Sequence, residues 1–304
     1  MEFAPNKTYQ VFGRCDSFNI SDGITNMATT LADDSVANIK LLIEHDIQIG
    51  RVYLFSFECI FNGTRNQLIL KSYQDIFTCQ LGDDVYPVLE KFYPYVKVGI
   101  PSLEAKLDEY LSNIKNPVVK AICDDIFTRY RHDFLLYPAA VKMHHNYIGG
   151  LAYHTLSICD LAKAFTGLYS SVDTDFVIAG ALLHDVCKVI EFKSPIANEY
   201  SIKGHLLGHL VMGALEIEKT ANRLGFAGKE EVMILEHMVI SHHGQPLYGA
   251  CKKPETPEAL LLWLLDTIDS KLRVIDESFE KIDSGTFSEV LGVLDRSRCY
   301  KKNC

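Results

Sequence analysis

Ten of the eleven histidines of this chain lie between His132 and His243. Imidazole nitrogens gathered among aspartates are the donor set of a divalent metal ion, so metal chemistry is the first reading. Three His-Asp dipeptides occur: His45-Asp46, His132-Asp133 and His184-Asp185. The first falls in a polar turn and the second follows Arg129-Tyr130-Arg131, so both read as solvated surface. The third ends the apolar run Phe176–Leu183, where a buried His and Asp must both find partners. Successive helical residues point about 100° apart, so this pair converges on one ion only at a helix end or a bent turn. Small residues just before it (Ala179, Gly180, Ala181) allow a second helix to approach closely and bring further ligands.

His154, early in an amphipathic stretch, and Asp266, closing the apolar run from Leu260 to Leu265, complete a candidate set. His154, His184, Asp185 and Asp266 form a mixed nitrogen and oxygen shell without thiolate. Such a shell suits Mn2+, Fe, Mg2+ or Zn2+, and the carboxylates favour a harder, octahedral ion. A second tier consists of His205, His209, His237, His242 and His243. His205 and His209, spaced i and i+4, are expected to share a helix face. His242-His243-Gly244 is expected to end a helix. One or two of these histidines can hold a second ion about 3.5–4 Å from the first, the arrangement used on phosphate esters. For His205 and His237 the sequence leaves open whether they are ligands or structural helix residues, and for His237 packing is the more frequent role at such a position. Asp185 and Lys188 are the candidate catalytic residues: a bound ion activates water for in-line attack on phosphorus. Lys188 lies one turn beyond His184 and Asp185 and is expected to contact the scissile phosphate.

The elements that must position these groups change character along the chain. Residues up to about Phe77 alternate as short β-strands: Thr8–Phe12, Asn26–Leu31, Ala37–Ile43, Arg51–Cys59 and Gln67–Tyr73, with Asn62-Gly63 in a hairpin turn. Five short strands suggest a small barrel, for which an OB-fold fits the count. Beyond Pro101 the period is helical, with helices expected over Pro117–Tyr130, Ile148–Gly167, Thr174–Glu191, Gly204–Leu224, Lys229–Ser241 and Pro257–Ile282. Asn116 and Asp173 are placed to cap two of them. The expected fold is therefore a two-domain α+β chain: a nucleic-acid-binding barrel over residues 1–98, then an all-α domain over residues 99–304. Tyr53, Phe55, Phe57 and Phe61 alternate on one strand, readable as barrel core or as a base-stacking stripe.

Composition narrows the class. Among 304 residues, 48% are hydrophobic and 23% charged, which excludes wholesale disorder. The opening Met-Glu-Phe-Ala-Pro-Asn-Lys lacks an apolar core, so no secretory signal is expected. No apolar run approaches the ~20 residues of a membrane span. Nine scattered cysteines without a C-x-x-C pair read as reduced thiols in a cytoplasm. Thirty Lys and Arg against 39 Asp and Glu give a net charge of −9, which argues against coating nucleic acid by bulk charge. A metal pocket adds positive charge that this count omits. The tail Arg296–Lys302 is locally basic.

The sequence pattern His154, then His184-Asp185-Val-Cys-Lys188, then Asp266 resembles the H…HD…D signature of the HD phosphohydrolase superfamily. It is most similar to the YhaM-type 3′→5′ exoribonucleases. The stretches carrying this are His144-His145-Asn-Tyr-Ile-Gly-Gly-Leu-Ala-Tyr-His154, Leu183 through Glu191, Gly204 through His209, Ile240-Ser-His-His-Gly244 and Asp266 through Lys271. The resemblance implies a manganese-dependent 3′→5′ exonuclease on single-stranded RNA, single-stranded DNA also being compatible, and a homo-oligomer. It implies His154, His184, Asp185 and Asp266 as metal ligands, with His209, His242 and His243 serving a second ion or the phosphate. His144 and His145 become candidate backbone contacts. Cys187 stands where the usual His-Asp-x-Gly-Lys carries Gly: if the position only packs, little changes, whereas a thiol near a redox-active metal would make activity oxidation-sensitive. The competing enzyme reading is an HD-domain nucleotidase or cyclic-nucleotide phosphodiesterase. A Gly-Tyr-Pro after the His-His pair would favour a cyclic-dinucleotide substrate, but Gly244-Gln-Pro-Leu-Tyr stands there.

Overall fold

The computed structural model describes residues 2–21, 23–140, 147–196 and 199–303. The expected contacts His144 and His145 lie outside the described residues. The chain divides into two units, residues 1–94 and 95–304. Tyr95–Val98 belong to the second: Tyr95 bridges to Ile148, and the Val96 N–H donates to the Ile148 carbonyl at 3.0 Å.

The first unit holds β1 (Lys7–Ser21), β2 (Ile24–Leu31), β3 (Val36–Leu41), β4 (Val52–Phe61), β5 (Asn66–Asp75) and α1 (Tyr86–Phe92). The strands close on themselves in the order β1-β2-β3-β5-β4, the β3–β5 pair being parallel and the others antiparallel. The first strand runs well past its expected end at Phe12. A bulge between Cys15 and Ser17 bends it, so its first half pairs with β4 and its second half with β2. Period-2 alternation sends Met27, Leu31, Ile39, Phe55, Phe57 and Leu70 inward. The aromatic stripe is therefore core at Tyr53, Phe55 and Phe57, while Phe61 at the strand end is 53% exposed. The Asn62-Gly63 turn stands as expected, the Asn62 side-chain carbonyl accepting from the Thr64 and Arg65 N–H groups. The short helix α1 was not expected from the periodicity.

The second unit contains α2 (Ile100–Asn113), α3 (Pro117–Leu136), α4 (Gly150–Thr166), α5 (Thr174–Leu183), α6 (Lys188–Glu191), α7 (Ile202–Leu224), α8 (Glu230–Ser241) and α9 (Pro257–Phe279). A two-stranded ribbon follows, β6 (Thr286–Phe287) with β7 (Tyr300–Lys301). Asn116 caps α3 through its side-chain oxygen, and Asp173 caps α5 in the same way. Every residue of α5 from Phe176 to Leu183 is buried. A Cβ on Gly180 would fall 2.2 Å from Met238 Cε of α8, and Leu262 of α9 lies 3.3 Å away, so the glycine admits both helices.

Two expectations for the helices are corrected. The helix expected over Thr174–Glu191 ends at Leu183, and a four-residue turn separates it from α6. The expected shared face of His205 and His209 is broken inside α7, where Gly208 adopts φ 69° and ψ 161°. Both interruptions fall where polar side chains must leave the helical direction to meet.

Candidate metal centre

Four histidines of the centre are placed by their backbone and then oriented through Nδ1. His184 caps the C-terminus of α5, and its ring Nδ1 lies 2.7 Å from the Ala181 carbonyl. His242 caps α8 likewise, with Nδ1 2.7 Å from the Val239 carbonyl. His154, in the second turn of α4, faces Asp269 Oδ2 at 2.7 Å. His209 follows the Gly208 bend, and Nδ1 lies 3.1 and 3.0 Å from the two Glu191 oxygens. These four Nδ1 atoms each face an acceptor, which fixes the rings and turns Nε2 toward the centre.

All four Nε2 atoms converge on Asp185. His184 lies 3.2 Å and His154 3.9 Å from Oδ2. His209 lies 3.3 Å and His242 3.8 Å from Oδ1. Asp266 Oδ1 stands 3.2 Å from His154 Nε2. His184 Nε2, His209 Nε2 and Asp185 Oδ1 are buried without a hydrogen-bond partner. Buried polar atoms are almost always paired, so this group fits a divalent ion. The donors fall into two sets, His154–His184–Asp185 and His209–His242–His243, each with its ligand atoms within 4.8 Å of one another. Asp185 presents one oxygen toward each set.

The electrostatics follow from this crowding. Burial by itself would raise the Asp185 carboxyl, but the Lys188 ammonium and the His184 ring hold it well below the usual carboxylate range. Burial keeps His242 neutral, and the neighbouring His184 adds to that. His243 is held below its usual value by burial and by His209. His154 is the exception. Burial favours its neutral form, yet hydrogen bonds that its ring donates to Asp266 and Asp269 outweigh that and hold it up at about 9. Metal-free protein therefore carries a proton where an ion's charge would otherwise stand.

The structure thus gathers His154, His184, Asp185, Asp266, His209, His242 and His243. Lys188 reaches Asp185 Oδ2 at 2.6 Å and the Ala139 carbonyl at 2.8 Å. It leaves two sequence candidates aside. His205 is exposed, its ring 5.2 Å from Tyr200. His237 Nε2 accepts the Glu255 N–H at 2.9 Å. The Cys187 thiol is buried and pushed up to about 12 by desolvation. It stays protonated and shielded, against the expected oxidation sensitivity. Glu191 and Asp269 were missed as functional residues. Asp269 carried a readable signal, standing one helical turn after Asp266. Glu191 carried none, because its role depends on the bend at Gly208.

An HD domain family model matches residues 151–271. A "3'-5' exoribonuclease YhaM" of Geobacillus sp. strain WCH70 is 42% identical over 196 residues, covering 64% of this chain and 60% of that protein. The Bacillus licheniformis protein of the same name is 35% identical over 237 residues, covering 78% of this chain and 74% of its own length. The chain thus spans less than two thirds of the first of these relatives. No solved structure matches.

Proposed function

Since this chain belongs to the YhaM family of 3′-5′ exoribonucleases and carries an HD domain, we propose that it is a metal-dependent 3′→5′ exoribonuclease of single-stranded RNA. The observation that carries the reading is the convergence of four imidazole Nε2 atoms on one buried carboxylate. His154, His184, Asp185 and Asp266 would hold one ion, Mn2+ being favoured by the mixed nitrogen and carboxylate shell. His209, His242 and His243 would hold a second, sharing Asp185. Bound there, a divalent ion supplies a Lewis acid and an acidified water for attack on phosphorus. Asp269, Glu191 and the carbonyls of Ala181 and Val239 fix the imidazoles, so the donors are oriented before any ligand arrives. Lys188 has three N–H donors and spends two on Asp185 and Ala139; the third is left for a phosphoryl oxygen.

The barrel of the first unit supports strand binding. Its strand order suits the OB-fold expected from sequence, with the boundary at 94/95 in place of the expected 98/99. A cleft of about 640 Å3 on it is lined by Asn19, Asn26, Asn38, Lys40, Arg65 and Asn66. Amides there can pair with base edges and the two cations with phosphates. No helix among the described residues is long and apolar enough to cross a membrane. We place the chain in the cytoplasm on its nine scattered cysteines, which contain no C-x-x-C pair. Self-association has support in Leu260, Leu264, Ile268 and Leu272, exposed at four-residue spacing along α9.

The test is a 5′-labelled single-stranded RNA incubated with the protein and Mn2+, alongside EDTA and His184→Ala/Asp185→Ala controls, with a labelled DNA in parallel. A ladder shortening from the 3′ end, absent from both controls, is expected. Intact RNA with hydrolysis of mononucleotides instead would favour the nucleotidase reading.

A further inference from the structure

The C-terminal ribbon has two faces of different kinds. One is anchored: Lys301 donates to the Phe279 and Ile282 carbonyls at 2.6 and 2.7 Å, tying the ribbon to the end of α9, and Ser288 is buried. The other faces water. Phe287 and Tyr300 are register partners across the two strands, with ring centroids 5.2 Å apart, and are 61% and 50% exposed. Arg298 and Lys302 are exposed two residues either side of Tyr300, and Arg296 is exposed at the preceding turn. None of these three cations forms an ion pair among the described residues. Glu289 and Asp295 are exposed beside them.

We infer that this outer face is a binding platform for the body of a single-stranded RNA, upstream of the end being cut. An aromatic pair open to water and flanked by free cations matches the two repeating features of a single strand, a π-face and a phosphate. The charge argues for a polyanion rather than a second copy of this chain: Arg296, Arg298 and Lys302 are exposed within a seven-residue stretch that holds no acid, in a protein of net charge −9. α9 links platform and centre. Thirteen residues separate Asp266 from Phe279, about 20 Å of helix. A strand of several nucleotides can span that distance, whereas a small phosphodiester cannot.

The inference rests on the exoribonuclease reading, and the experiment separates the two. Binding of a fluorescein-labelled single-stranded RNA is measured in EDTA by anisotropy over a range of NaCl. Three full-length proteins are compared: wild type, Phe287→Ala/Tyr300→Ala and Arg296→Ala/Arg298→Ala/Lys302→Ala. Hydrolysis of bis(p-nitrophenyl) phosphate with Mn2+ reports the centre alone. The aromatic variant is expected to bind RNA about tenfold more weakly. The charge variant should show a salt slope lower by about 2. Both should hydrolyse the small diester as wild type does. Wild-type RNA affinity and slope in both variants would overturn the platform and leave the enzyme reading standing. Failure of wild type itself to bind or shorten RNA, with the small diester still cleaved, would overturn both. Unchanged RNA binding with a loss of self-association in sedimentation would assign the face to a second copy instead.

Discussion

At the level of single residues, the centre depends on second partners as much as on ligands. Asp269 is buried, holds His154 Nδ1 at 2.7 Å, and is itself met by Arg273 Nε at 3.4 Å. Asp269→Asn keeps the size but replaces an obligate acceptor with an amide that can also donate, which loosens the tautomer of His154. Calorimetric titration with Mn2+ should show affinity reduced by about 10–100-fold with little change in melting temperature. An unchanged affinity would mean that Asp269 is only packing. The pH dependence of metal-free protein follows from His154. Its value is raised from 6.5 to about 9, so its contribution to stability is full below 6.5 and is lost as pH rises through 9. Asp185 and Asp266 are depressed, so their contributions are present above 3.8 and are lost as pH falls below it. EDTA-treated protein should therefore melt progressively lower as pH is raised from about 6.5 to 9.5. Saturating Mn2+, which takes the place of the His154 proton, should flatten that alkaline arm. A metal-free melting temperature that is level across this range would contradict the assignment.

Elements formed where local chemistry was decisive. The five strands and the caps at Asn116 and Asp173 were legible because period-2 alternation and side-chain capping are local signals. The candidate ligands His154, His184, Asp185 and Asp266 were legible because polar residues ending apolar runs need partners. What sequence could not show were the interruptions. In Thr174–Glu191 the sequence showed an apolar run ending at Leu183 before a polar pair, but not that the helix itself stops there; α5 packs closely against α8 and α9 at Gly180. His205 and His209 obey helical spacing, and only Gly208 separates them. Its φ and ψ lie where essentially only glycine is stable, and a Cβ there would meet nothing closer than Glu191 Oε1 at 3.8 Å. Gly208→Ala is therefore predicted to cost about 1–3 kcal/mol through backbone strain alone. Denaturant unfolding measures this, and a neutral substitution would show that the bend is not required.

For the whole molecule, acidity and an RNA substrate are reconciled by locality. Thirty-nine acids against 30 bases make a surface that does not attract polyanions in general. Positive character is confined to particular places: Lys40 and Arg65 in the barrel cleft, the basic end Arg296–Lys302, and a centre that gains charge with its metal. On the proposed reading, each unit would contribute a site to one activity without the chain becoming basic. The claim on which this rests is that the histidines around Asp185 are a metal centre that performs the cleavage. Titrating Mn2+ into EDTA-stripped protein, with His184→Ala/Asp185→Ala as comparison and 5′-labelled RNA digestion on the same samples, tests it most directly. The account predicts saturable uptake of about one or two ions per chain, lost together with 3′→5′ shortening in the folded variant. Shortening that persists in the variant, or wild-type protein that cuts RNA with no saturable metal uptake, would contradict it.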